Sequence, residues 1–152
     1  MAMVLALTGR LAVALFVLLA ATEAVPAQTI ADTARTWGLL GTWRLDCSKP
    51  LSSSNPDLKY VVRDGKVHHD REFGNARDSS LVASLKAKPD GTLEVIVNFA
   101  SLSQVREFTF TKGAQNRIRA TSNRDVNANT YSVRNGKFTA NGNDTPWQTR
   151  CQ

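Results

Sequence analysis

The sequence predicts an all-β fold: an antiparallel up-and-down barrel of about eight strands, preceded by a short helical turn and closed by one disulfide. Three observations predict it. After residue 38 no helical period is sustained, and short runs of alternating apolar and polar residues recur about every ten residues. Asp-Gly and Asn-Gly dipeptides separate several of these runs, as two-residue hairpin turns require. The chain has only two cysteines, Cys47 and Cys151, each four residues after a tryptophan (Trp43, Trp147) and each near one end of the strand-rich segment.

The N-terminus reads as a secretory signal peptide over residues 1–27. Residues 1–7 are apolar, Arg10 carries a positive charge, and an uninterrupted apolar run spans Leu11 to Ala21. Val25 and Ala27 are the small residues that a signal peptidase needs ahead of Gln28. An uncleaved anchor is the alternative, and no cysteine stands at the cleavage point to take a lipid. The expected mature chain is one domain, 28–152, periplasmic or secreted and monomeric, with no transmembrane segment. Arg10 and Glu23 cancel, so the formal charge of +6 belongs to that domain. Such a balance favours acidic partners such as anionic lipid head groups or acidic polysaccharide, and export makes nucleic acid the least fitting of them. A positive surface also serves solubility alone.

In an oxidising compartment two cysteines without a Cys-x-x-Cys spacing pair as a structural disulfide. A Cys47–Cys151 bond closes a loop of roughly 100 residues, worth about 4–5 kcal/mol in the chain-entropy model. Ahead of it, 31–37 suits one turn of helix, with Asp32 or Thr33 as cap and Gly38 as stop. Strands are expected near 41–47, 58–63, 66–73, 79–87, 92–99, 104–112, 116–123, 130–134, 137–141 and 146–151. "VVRDGKV" at 61–67 and "VRNGKF" at 133–138 suit type I′ turns. Alternation places Leu58, Tyr60 and Val62 on one face, and likewise Leu81, Ala83 and Leu85. Leu93, Val95, Val97 and Phe99 form a third such set, and Phe108 and Phe110 a fourth. Short strands joined by tight turns close into a barrel or a sandwich, and closure removes exposed edges. In an up-and-down barrel the first and last strands are neighbours, so the disulfide locks the seam.

Gly41-Thr42-Trp43, led in by Trp37-Gly38-Leu39-Leu40, resembles the lipocalin and wider calycin group. That resemblance implies an eight-stranded barrel in which Trp43 closes one end and a late basic residue, here Arg150, packs over it. Trp147 is expected to join the packing at a barrel end. The closing "NGKFTANGNDTPWQTRC" is similar to small exported proteins of proteobacteria, a likeness that carries no function.

The densest titratable run is "KVHHDREF" at 66–73. His68, Asp70 and Glu72 share one face but span roughly 13 Å at about 3.3 Å per residue, too far for one ion, so no metal site is expected. Val67 and Phe73 mark the other face as inward, which carries His69 and Arg71 into the barrel. Arg106 shares the face of Phe108 and Phe110. On 116–123, Arg117 and Arg119 alternate with Ile118 and Ala120, and either pair can be the inward one. A buried arginine must be paired or hold an anion. Tyr60, His69, Arg71, Arg106, Arg117 and Arg119 are therefore the candidate ligand-binding set. An outward basic stripe meeting an acidic surface, and ordinary ion pairing with Asp70, Glu94, Glu107 or Asp125, are the competing readings.

No nucleophile elbow, zinc-protease helix motif, phosphate loop or dinucleotide fingerprint occurs, and the two histidines are adjacent. No enzyme activity and no cofactor is expected. The expected function is non-enzymatic binding of a small amphipathic or anionic ligand in a barrel cavity. The alternative is an interaction module, either an enzyme inhibitor or an adaptor on an anionic envelope surface or protein.

Overall fold

The computed structural model describes residues 28–151; the expected signal peptide lies outside the described residues. They form one α-helix, α1 (Ile30–Trp37), and ten strands: β1 (Gly41–Arg44), β2 (Asp57–Arg63), β3 (Lys66–Glu72), β4 (Arg77–Ala87), β5 (Leu93–Phe99), β6 (Gln104–Gly113), β7 (Arg117–Asp125), β8 (Thr130–Arg134), β9 (Lys137–Phe138) and β10 (Gln148–Cys151). All pairings are antiparallel, in the order β10-β1-β2-β3-β4-β5-β6-β7-β8-β9, and β10 also pairs with β7. The β7–β10 pairing closes a barrel of eight strands, β1 to β7 plus β10. The hairpin β8–β9 stands outside the closure. β7 serves both: Arg117 and Ile118 pair with β10, whereas Asn123 to Asp125 pair with β8.

Turn chemistry sets the register. Asp64 (φ 50°) with Gly65 (φ 73°), and Asn135 (φ 53°) with Gly136 (φ 72°), hold the paired positive φ values of type I′ turns. The helix begins one residue earlier than expected, and its cap is Thr29 rather than Asp32 or Thr33. The Thr29 hydroxyl accepts from the Asp32 N–H at 3.1 Å. Gly38, in the left-handed conformation (φ 83°), ends it, as its lack of a Cβ allows.

α1 lies across one end of the barrel, burying Ala31, Ala34 and Trp37 against the core. Trp37 Nε1–H donates to the Gly91 carbonyl at 2.9 Å, tying the helix to the β4–β5 turn. The core runs down the barrel axis from there. Leu93, Val95, Val97 and Phe99 of β5 are each 1 % exposed or less, the expected consequence of strict alternation on a half-buried strand.

The seam is narrower than the sequence suggests. β1 ends at Arg44, not 47, and pairs with β10 through Thr42–Cys151, Trp43–Arg150 and Arg44–Thr149. The chain turns after Arg44, and Cys47 doubles back to reach Cys151 in a disulfide spanning 104 residues. The two Trp-x-x-x-Cys patterns are therefore not equivalent. Trp43 points inward, 3 % exposed, and donates from Nε1 to the Leu39 carbonyl at 2.8 Å. Its cross-strand partner Arg150 lays its guanidinium over the ring, 5.4 Å from the centroid, and donates to the Leu40 carbonyl. Gly41 makes this possible: its φ is +137°, and a Cβ there would sit 2.7 Å from Arg150 Nε. Trp147 packs on the outer wall instead of a barrel end, because it precedes β10 in phase with Thr149 and Cys151 and lies against Gly113.

Candidate functional site

The barrel end away from α1 gathers the polar residues of the interior. Five aromatic rings close on one another behind it. Tyr60 stacks on His69 with centroids 4.4 Å apart; His69 meets Phe99 edge-on at 6.0 Å. Phe99 meets Phe108 at 6.3 Å, Phe108 stacks on Phe110 at 5.7 Å, and Phe110 returns to Tyr60 at 6.4 Å. Four strands supply this girdle, and each ring falls on the inward phase of its strand. Such offset and edge contacts add about 0.5–1.5 kcal/mol per pair beyond simple burial.

Two arginines stand between the girdle and the mouth. Arg71, two residues beyond His69 on the same face of β3, places its guanidinium 4.4 Å above the Phe99 ring. It is paired to Asp78 by Nε at 2.8 Å and by a second short contact from Nη2. Asp78 faces Arg71 directly in the β3–β4 register, so this fork-to-fork pair neutralises the charge.

Arg106 is different. Nε donates to Asn123 Oδ1 at 2.8 Å, Nη2 to Ser132 Oγ at 2.8 Å and Nη1 to Gln104 Oε1 at 3.3 Å, all neutral acceptors. Among the described residues no carboxylate lies within ion-pair distance of it. Asp125 is its cross-strand neighbour, but that carboxylate accepts from the N–H groups of Asn127 and Ala128 at 3.0 and 2.9 Å and is held in the turn. Arg106 thus presents a formal charge beside Phe108 with no local counter-charge.

Below them, His69 is 4 % exposed and its Nδ1 has no hydrogen-bond partner. Burial, reinforced by the Arg71 charge, pushes its imidazole down to about 4 from the ordinary 6.5, so the ring is neutral at physiological pH. Burial likewise pushes the Tyr60 hydroxyl up.

Tyr60, His69, Arg71 and Arg106 therefore converge. Arg117 and Arg119 do not, which corrects their expected place in the interior. Ile118, 1 % exposed, takes the inward phase at the start of β7, and both arginines project outward onto Trp147, at 5.6 and 4.9 Å from its ring. A bulge leaves Thr121 unpaired between Ala120 and Ser122 and reverses the phase. That reversal is why Asn123 faces inward to meet Arg106.

A recess of about 550 Å³ opens over β1–β4 and reaches the Arg71–Asp78 pair. Its centre is occupied by an internal network: Arg63 donates to both Asp70 oxygens at 2.8 and 2.6 Å and to Ser79 Oγ at 2.9 Å. The Arg63 hydrogen bonds hold the Asp70 carboxyl below its usual range. Asp78, Asn123 and Ser132 are functional neighbours that the sequence pattern does not single out. The first was legible in principle, by counting the β3–β4 register back from Gly74.

No family model, no curated protein and no solved structure matches this chain. Among the described residues no helix is long and apolar enough to cross a membrane.

Proposed function

We propose that this protein is a non-enzymatic binding protein, exported to an oxidising compartment, that takes a small amphipathic anion at the mouth of its barrel. The observation that carries the reading is Arg106, a guanidinium with neutral partners only, beside the inward-facing Phe108. An anionic head group completes the neutralisation that Asp125 does not provide, and the aromatic edge accepts the apolar part. Arg71, already paired to Asp78, acts as a positioning group over Phe99. The disulfide and the apolar N-terminal run support export.

The aromatic girdle closes on itself, so the ligand seats above it and not along the whole axis. Titration calorimetry with decanoate, and with decanol as the uncharged analogue, tests this. Binding of decanoate, weakened about tenfold or more by Arg106→Gln and unchanged by Lys59→Gln on the outer wall, is expected. Equal binding of both ligands, or an Arg106→Gln protein that titrates like the parent, refutes it.

A second reading is favoured by the row formed by Arg117 and Arg119 on Trp147. This row suits an interaction module for an acidic surface. Such binding weakens steeply with salt, whereas capture of a ligand at a half-buried mouth does so less.

A further inference from the structure

Each of the three tryptophans carries a cation on its ring, and three of these cations, Lys112, Arg117 and Arg150, line one small cleft at the helix end of the barrel. Lys112 Nζ stands 4.6 Å from the Trp37 centroid, Arg150 stands over Trp43 at 5.4 Å, and Arg117 over Trp147 at 5.6 Å. Lys112, Arg117 and Arg150 line the cleft together with Trp37, Trp43 and Asn116, and its volume is about 140 Å³. No carboxylate is among its lining residues. Among the described residues none of the three cations lies within ion-pair distance of an acidic group.

Their local hydrogen bonds leave donors over. Arg117 uses Nε for the Ala114 carbonyl at 3.2 Å, and Arg150 uses Nη2 for the Leu40 carbonyl. A guanidinium has five N–H donors and an ammonium three, so among the described residues most donors on these groups have no protein acceptor. The register explains how they meet. Gly113 pairs with Arg117 and Lys112 with Ile118, at the tight β6–β7 turn, and β10 pairs with β7 there and brings Arg150 alongside. Three like charges in one cleft repel unless an anion sits among them.

We infer that this cleft is a binding site for a tetrahedral oxyanion, a phosphate or sulfate group, distinct from the barrel mouth at the opposite end. Its volume lies below the roughly 300 Å³ at which sites for drug-sized ligands begin, so it holds one such group and not an acyl chain or a sugar ring. The aromatic floor fixes the cations laterally while leaving their N–H groups directed to the anion. The rest of a larger phosphorylated molecule extends into solvent past Lys112, which is exposed.

The test is a titration of intrinsic tryptophan fluorescence at pH 7.5 and fixed ionic strength, with inorganic phosphate in one arm and glycerol phosphate in another. Chloride is the control. A saturable change with phosphate and none with chloride is expected, because all the tryptophans border the cations. Lys112→Gln and Arg117→Gln each weaken it by about tenfold. Lys66→Gln removes the same charge from the β2–β3 hairpin, outside the lining of the cleft, and leaves it unchanged. Equal affinity in the two arms identifies a free oxyanion as the ligand, and tighter glycerol phosphate identifies a phosphate carried on a larger molecule. A non-saturating response, an equal response to chloride, or equal weakening by Lys66→Gln and Lys112→Gln overturns the inference.

Discussion

His69 makes stability fall with acidification earlier than the carboxylates alone dictate. Its imidazole is buried within the aromatic girdle, and its folded-state pKa is pushed down to about 4 from the ordinary 6.5. Between those values the unfolded chain binds a proton that the folded chain does not, so stability rises with pH across the window. It is fully present above about 6.5 and is lost as pH falls toward 4. At about 1.36 kcal/mol per pH unit the whole effect is about 3 kcal/mol, of which about 2.5 kcal/mol is gone by pH 4.5. Urea unfolding followed by tryptophan fluorescence at pH 7.5, 6.5, 5.5 and 4.5 reads this directly, in the parent and in His69→Phe. Phenylalanine keeps a ring beside Tyr60 and Phe99 and removes the unpartnered Nδ1, so the variant is expected to match or exceed the parent at pH 7.5. The advantage of His69→Phe then grows by about 2.5 kcal/mol down to pH 4.5. Asp70 and the other carboxylates held low by their partners are common to both proteins and cancel in the difference. Parallel stability profiles from pH 7.5 to 4.5 would mean instead that water or a rearranged partner already accommodates the charged imidazole, and that its burial carries no such penalty.

Further outcomes follow from the seam and the core. Cys47→Ser with Cys151→Ser lowers stability by about 2–4 kcal/mol and frays β10, a strand of four residues, which amide exchange at Gln148 to Arg150 reads as lost protection. Gly41→Ala costs at least about 1–2 kcal/mol, because it forces an L-residue to φ +137° and displaces Arg150, seen as a lower urea midpoint with Trp43 emission altered. Phe99→Ala, at 1 % exposure in the girdle, costs about 3–5 kcal/mol, whereas Phe138→Ser, 37 % exposed on the outlying hairpin, changes stability by less than about 0.5 kcal/mol.

Most of the barrel was legible because alternation and turn chemistry are local. Asp64-Gly65 and Asn135-Gly136 need positive φ twice in succession, and few dipeptides allow that, so the hairpins they close could be placed without tertiary information. The same alternation correctly put Tyr60, His69 and Arg71 on the inward phase. It failed where the ladder skips a residue. Thr121 is left out of the β6–β7 pairing, so Ile118 and Asn123, of opposite parity, both face the interior, and Arg117 and Arg119 are turned out. No propensity marks that bulge. The helix cap was missed because Thr29, Asp32 and Thr33 are all competent caps, and the choice depends on where the chain arrives at the barrel. The pairing of Arg71 with Asp78, and the absence of such a partner for Arg106 among the described residues, are decided by cross-strand register and by the turn that holds Asp125. Charge alone does not separate those two arginines; their neighbours do.

Native mass spectrometry of the parent protein and of Arg106→Gln, with masses read before and after denaturation, bears most directly on the mouth as a ligand site. An adduct on the parent is expected, one that is released on unfolding, carries an anionic group, and is depleted in Arg106→Gln. A bare chain in both proteins, or an adduct retained equally by both, would contradict it.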